Sequence, residues 1–242
     1  MKAQLQVLLA IALAFGPFAW VSMVSAQSAD LEKNVADLWI DLSMGPEYVG
    51  WFNQNADDQD MARIDHLSMT GLLGEIETGR RLVVFKSEQE AIQTMPGIAG
   101  QVDIIGYNIE HGPANPQEEQ ADPVHSVSHM RELADQYGVQ LAVGPDHDFA
   151  VTDGTEMAQY ADIMILQVQR VQDNPTIVSD FVIPTARRMR EANPDIEISM
   201  QIGANGDPNT LARLVQSMAG ELDGVSILTD HESTEFVVDF VR

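Results

Sequence analysis

From Arg80 onward the chain alternates between short apolar runs and longer amphipathic stretches. The apolar runs predict strands at 81–86, 102–110, 139–145, 162–169, 196–203 and 223–229. Between them, patterns of helical period predict helices at 87–95, 123–137, 154–161, 176–193, 208–220 and 233–241. Asp207 and Pro208 supply the N-cap and first position of one helix. Gly138 directly follows another, as a C-terminal glycine does. Strands that alternate with helices pair in parallel through right-handed crossovers. Upstream the pattern is poorer. Residues 30–43 read as helical, and 44–79 has room for one or two further strands, with 48–52 the best placed. Six clear units in roughly 160 residues are fewer than the ~250 residues an eight-stranded barrel usually takes. The expectation is one α/β domain over 27–242. Its predicted architecture is a compact or incomplete (β/α) TIM-type barrel, with an open doubly wound parallel sheet as the alternative.

Side chains alternate faces along a strand, so parity sorts each run. One face of 102–110 carries Gly106, Asn108 and Glu110, and one face of 139–148 carries Ala142, Gly144, Asp146 and Asp148 if the strand survives Pro145. Gln167 and Gln169 end the next run. Ser199, Gln201, Gly203 and Asn205 follow on the fifth, and Ser226, Leu228 and Asp230 on the sixth. Polar groups gather at the C-terminal ends, where parallel α/β folds build their sites. Glu110, Gln167, Gln169 and Gln201 are therefore expected to share one cavity. For Asp146, Asp148 and Asp230 a helix N-cap or a water-facing loop is an equal reading.

Composition narrows the partners. The chain has 37 acidic residues against 13 basic ones, a formal charge of −24. Such a surface repels nucleic acid and anionic lipid, so nucleic-acid binding is not expected. Cysteine is absent, which removes thiolate nucleophiles, thiolate metal sites and disulfides together. Residues 1–26 read as a cleaved signal peptide: Lys2, an apolar stretch over 7–24 broken by Gly16 and Pro17, then Val24-Ser25-Ala26. The mature chain is expected to be secreted or periplasmic, with no stable membrane association after cleavage.

A carboxyl against an apolar wall beside a second carboxylate, with amides to hold hydroxyls, suits glycoside hydrolysis. By this reasoning Glu110, Asp146 and Asp230 are the predicted catalytic groups. Tyr107, Asn108, Asp148, Gln167, Gln169, Arg170, Gln201 and Asn205 are the predicted substrate contacts. The stretch DIIGYNIE at 103–110 resembles the strand-four signature of chitinase-like barrel glycosidases, D-G-x-D-x-D-x-E. Asp103 and Glu110 match its outer acids, while Gly106 and Asn108 stand at its two inner aspartates. Asn108-x-Glu110 is similar to the pair in the related endo-β-N-acetylglucosaminidases. That resemblance implies Glu110 as general acid and Asn108 as the group orienting an acetamido substituent. The substrate it implies is a carbohydrate or another small polar molecule.

Two other classes stay open. GPDHD at 144–148, with Glu110, Asp230 and His231, would make an oxygen-rich divalent-metal site of a barrel hydrolase or isomerase. No cofactor is otherwise expected, and no HExxH motif is present. The third class is a non-catalytic secreted binding domain, favoured by the low aromatic content.

Overall fold

The computed structural model describes residues 35–229 and 233–241. The predicted signal peptide, Asp230 and His231 lie outside the described residues. Among the described residues eight strands form: β1 Trp39–Ser43, β2 Met61–Ile64, β3 Arg80–Phe85, β4 Ile104–Ile109, β5 Gln140–Pro145, β6 Ile163–Gln167, β7 Glu197–Gly203 and β8 Gly224–Leu228. All neighbours pair in parallel, and β8 pairs with β1 to close the barrel. Closure rules out the open sheet. The fold is a complete TIM-type α/β barrel.

The intervening helices are α1 Pro46–Asn55, α2 Glu88–Ile98, α3 Gln117–Ala121, α4 Pro123–Tyr137, α5 His147–Thr152, α6 Gly154–Met157, α7 Pro175–Ala192, α8 Pro208–Gln216 and α9 Thr234–Val241. Their entries follow the local chemistry. Asp122, Asp146, Asn174 and Asp207 each accept a backbone N–H of the first turn, as N-cap side chains do. Gly138 closes α4 at φ +67°, a conformation glycine reaches without a Cβ penalty. The barrel stays short because β2 is followed by a 3₁₀ segment, Leu67–Glu75, instead of a full helix.

Two sequence expectations fail upstream. Residues 39–43 form β1, not the end of a helix, and 48–52 lie inside α1. In α1, Tyr48, Val49 and Phe52 form one buried helical face, and their aromatic and β-branched character mimics a strand. β1 and β2 escape notice because each carries a charge into the barrel lumen, Asp41 and Arg63. Those charges interrupt the apolar runs that mark the other strands.

The lumen holds a small apolar cluster, including Met61, Leu82, Ile104 and Ile163, all fully buried. Burying such side chains contributes about 1.5–3 kcal/mol each. At the N-terminal end of the strands the Trp39 indole lies over Gly224, where an added Cβ would come within 2.0 Å of the ring. A larger cluster packs the outer strand faces against the helices.

Candidate active site at the barrel mouth

Glu110 follows the last residue of β4, on the lumenal parity with Gly106 and Asn108. Its backbone is pinned from the loop: Asn115 Oδ1 accepts the Glu110 N–H at 3.1 Å. Asn115 Nδ2 donates to the carbonyls of Asn108 (2.6 Å) and Lys86 (2.9 Å). The Asn108 amide lies over Gly144, where a Cβ would come within 2.5 Å of Asn108 Oδ1. Glycine at 144 thus makes room for it. Asn115, buried and in a loop, carries no periodic signal, and sequence reasoning missed it.

The Glu110 side chain is held by an amide from β6. Gln167 Nε2 donates to Glu110 Oε1 at 2.9 Å and to the Gly144 carbonyl at 3.1 Å. Gln169 Nε2 donates to Gln167 Oε1 at 3.0 Å. Gln169 Oε1 is buried without a hydrogen-bond partner. A cavity of about 320 Å³ opens here. Glu110, Asp146, His147, Gln167, Gln169 and Arg170 line its polar side, and Val171, Ile177 and Phe181 its apolar side.

Asp146 reaches this cavity as the N-cap of α5. Oδ1 accepts from the Phe149 N–H at 3.0 Å. Oδ2 takes both the His111 N–H and His111 Nδ1 at 2.7 Å. Burial opposes ionisation, but these donors outweigh it and hold Asp146 below the ordinary carboxylate value. The His111 ring is also stacked on Phe149, with centroids 4.0 Å apart. Asp148 lies one residue into α5, and its exposed carboxylate faces His147 at 3.1 Å. The strand ends at Pro145, so the condition on which Asp146 and Asp148 would share its face is not met.

On the opposite flank of the mouth, β1 and β2 deliver a buried ionic network. Arg63 Nη1 donates to Asp41 Oδ2 at 3.1 Å and to Gln201 Oε1 at 2.7 Å, and Nη2 to the Ile227 carbonyl at 3.2 Å. Arg63 Nε lies 3.3 Å from Asp65 Oδ1, and the Ser43 hydroxyl donates to Asp65 Oδ2. Arg63 is 2% exposed and Asp41 0%. Burial outweighs the pull of Arg63 and raises Asp41 to about 6. Sequence reasoning missed Asp41, Arg63 and Asp65 because β1 and β2 were not recognised as strands.

Of the predicted site residues, the structure gathers Glu110, Asp146, Gln167, Gln169 and Arg170 at one cavity. Asn108 adjoins it, and Gln201 pairs with Gln167 in strand register, one strand over. Asn205 stands at the β7 exit, its Oδ1 taken by Gln172 Nε2 at 2.9 Å. Tyr107 is elsewhere. It faces outward, buried, and donates to Glu119 Oε2 at 2.7 Å. Asp103, the first acid of the resembled signature, precedes β4 and pairs with Arg81 at 2.9 Å. Among the described residues no three His, Asp or Glu side chains are grouped as metal ligands.

No family model matches the chain, and no curated protein matches it. Solved structures match its fold. 3-Keto-L-gulonate-6-phosphate decarboxylase from Vibrio cholerae O1 biovar El Tor str. N16961 aligns over 84% of this chain and 95% of its own, at 12% identity and TM-score 0.56. A glycoside hydrolase family 17 β-1,3-glucanosyltransferase from Rhizomucor miehei aligns over 81% and 88%, at 11% identity and TM-score 0.52. The chain spans about half (49%) of a truncated 3-deoxy-D-arabino-heptulosonate 7-phosphate synthase from Thermotoga maritima, with 60% of this chain covered, 14% identity and TM-score 0.41. The likeness to the decarboxylase and the glucanosyltransferase shows a shared barrel. Reaction type does not follow from it, because this fold hosts many chemistries.

Proposed function

We propose that the protein is an exported, glycoside hydrolase-like enzyme that acts on a carbohydrate, with Glu110 as its general acid. The observation that carries the reading is the setting of Glu110. It stands at the C-terminal end of a barrel strand, one oxygen held by Gln167, beside a cavity with a polar side and an apolar side. A sugar ring has matching chemistry, with hydroxyls at its edges and C–H groups on its faces. Glu110 protonates the leaving oxygen. Asp146, with both oxygens already occupied by N–H donors, serves as a fixed negative charge that stabilises a cationic sugar. Asn108, Gln167, Gln169, Arg170 and Gln201 orient the hydroxyls, and Asn205 shapes the β7 rim. Export rests on the leader at 1–26.

The test is hydrolysis of a panel of plain and N-acetylated oligosaccharides by the wild type and by Glu110→Gln. The substitution keeps shape and removes the transferable proton. The variant is expected to lose ~10²–10⁴-fold in kcat, with less loss on substrates whose leaving groups need no protonation. Normal turnover of natural glycans by Glu110→Gln would overturn the assignment.

A further inference from the structure

The arginines of this chain are almost all tied down. Among the described residues six pair with carboxylates. Two more, Arg188 and Arg213, donate to threonine hydroxyls on their own helices. Arg170 has neither a hydrogen bond nor an ion pair among the described residues, in a chain whose acidic residues outnumber basic ones 37 to 13. It lines the cavity beside Glu110.

Its side chain is free, but its backbone is not. Arg170 sits in the turn that leaves β6. There the Val168 N–H donates to the Gln201 carbonyl at 3.0 Å, and the Val171 N–H to the Val168 carbonyl at 2.8 Å. Two residues on, Gln172 is buried. Its Oε1 accepts the Gly203 N–H at 2.7 Å, and its Nε2 donates to Asn205 Oδ1 at 2.9 Å. The turn is therefore fastened to β7 on both sides of Arg170. A guanidinium presented from a fixed turn loses less freedom on binding than one on a loose loop.

The other charges at the cavity are already answered. Asp146 takes three N–H donors, two from His111 and one from Phe149. His147 faces Asp148. Glu110, in its role as acid, carries a proton and no charge. An unpaired guanidinium calls for a counter-charge, and its parallel N–H groups match two oxygens of one anionic group. Gln169 Oε1, buried without a donor, calls for a hydroxyl. The cavity, about 320 Å³, suits a small ligand, and a net charge of −24 repels a polyanion. One anionic group on one sugar meets these conditions together.

We propose that Arg170 is a specificity-determining residue that pairs with an anionic substituent, a carboxylate or a sulfate ester, on the sugar bound beside Glu110. The proposal rests on reading the cavity as a carbohydrate site. It narrows the part of Arg170 there from orienting hydroxyls to reading a charge.

The experiment titrates D-glucose, D-glucuronate, the methyl ester of D-glucuronate and D-glucose 6-sulfate into the full chain, wild type and Arg170→Gln, by ligand-observed NMR. The wild type is expected to bind at least one of the two anions about tenfold more tightly than glucose, with the neutral ester close to glucose. Preference for glucuronate alone assigns a carboxylate, for the 6-sulfate alone a sulfate ester, and for both the shared anionic chemistry. Arg170→Gln should lose that roughly tenfold advantage, with a smaller loss for glucose. An advantage that survives Arg170→Gln, equal binding of anions and glucose to the wild type, or no binding of any of these sugars overturns the proposal. Arg170-dependent preference in a protein that hydrolyses no glycan would sink the catalytic reading and leave this inference standing. Glu110-dependent hydrolysis without any preference for anionic sugars would do the opposite.

Discussion

The two flanks of the barrel mouth are built from similar residue types and reach opposite states. On the β1–β2 side, Arg63 is packed between Asp41, Asp65, Gln201 and a backbone carbonyl, almost free of solvent. On the β4–β6 side, Glu110 and two glutamines sit beside an open cavity, with one buried acceptor left over. The first flank turns its charges on one another in a solvent-free network, although Asp41 Oδ1 and Arg63 Nε are buried there without a hydrogen-bond partner. The second turns Glu110 and its amides to an open cavity. Charges that face one another out of water hold a structure together, while polar groups beside an open cavity are free to bind.

That contrast is broken most severely by Arg63→Met. The substitution leaves Asp41 and Asp65 without their cation, and removing one partner of a buried pair costs about 3–5 kcal/mol. Urea denaturation should show that loss, whereas Glu110→Gln on the open flank should change stability little. Equal costs for the two would erase the distinction.

Next in size is a pH effect confined to the closed flank. Asp41 titrates at about 6 in the fold against 3.8 for the ordinary side chain, so the folded state holds the extra proton between those values. Its contribution to stability is therefore fully present below pH 3.8 and is lost as pH rises through 6. The amount is at most roughly 3 kcal/mol, from the shift alone. Asp41→Asn cannot titrate. The stability gap between wild type and variant should change across pH 4–6.5 and level off above. A gap that is flat over this range would contradict the assignment.

A smaller effect is expected on the open flank. Asp146→Ala removes the N-cap of α5 and the tether of the His111 ring, with an expected cost of about 0.5–2 kcal/mol. Glycan turnover should fall with it. Smallest of all is Asp148→Asn, which alters an exposed carboxylate and should stay within about 0.5 kcal/mol of wild type with activity retained. Strong loss of activity there would move the site toward the α5 surface.

Legibility in the sequence follows the same division. From β3 to β8 the lumen-facing residues in the middle of the strands are mostly apolar or small, with Arg80, Gln140 and Glu197 confined to strand starts, so apolar runs and parity together marked six strands and the open flank. Gln167, Gln169 and Glu110 were recognisable because each terminates an apolar run. β1 and β2 were hidden by Asp41 and Arg63. A buried charge reads as surface until its partner is known, and these two lie 22 positions apart in the chain. Asp146 was readable as either site or cap, and it caps α5 while also lining the cavity. Asn115 acts through backbone contacts, which leave no periodic trace.

The account stands most directly on where a glycan sits. The measurement is a crystal structure of Glu110→Gln with an oligosaccharide that the wild type cleaves. The account predicts the glycosidic oxygen within ~2.6–3.2 Å of the side chain at 110. The sugar ring would lie between the Gln167–Gln169 amides and Phe181. A glycan bound away from this cavity, or one whose cleaved linkage is out of reach of residue 110, would contradict it.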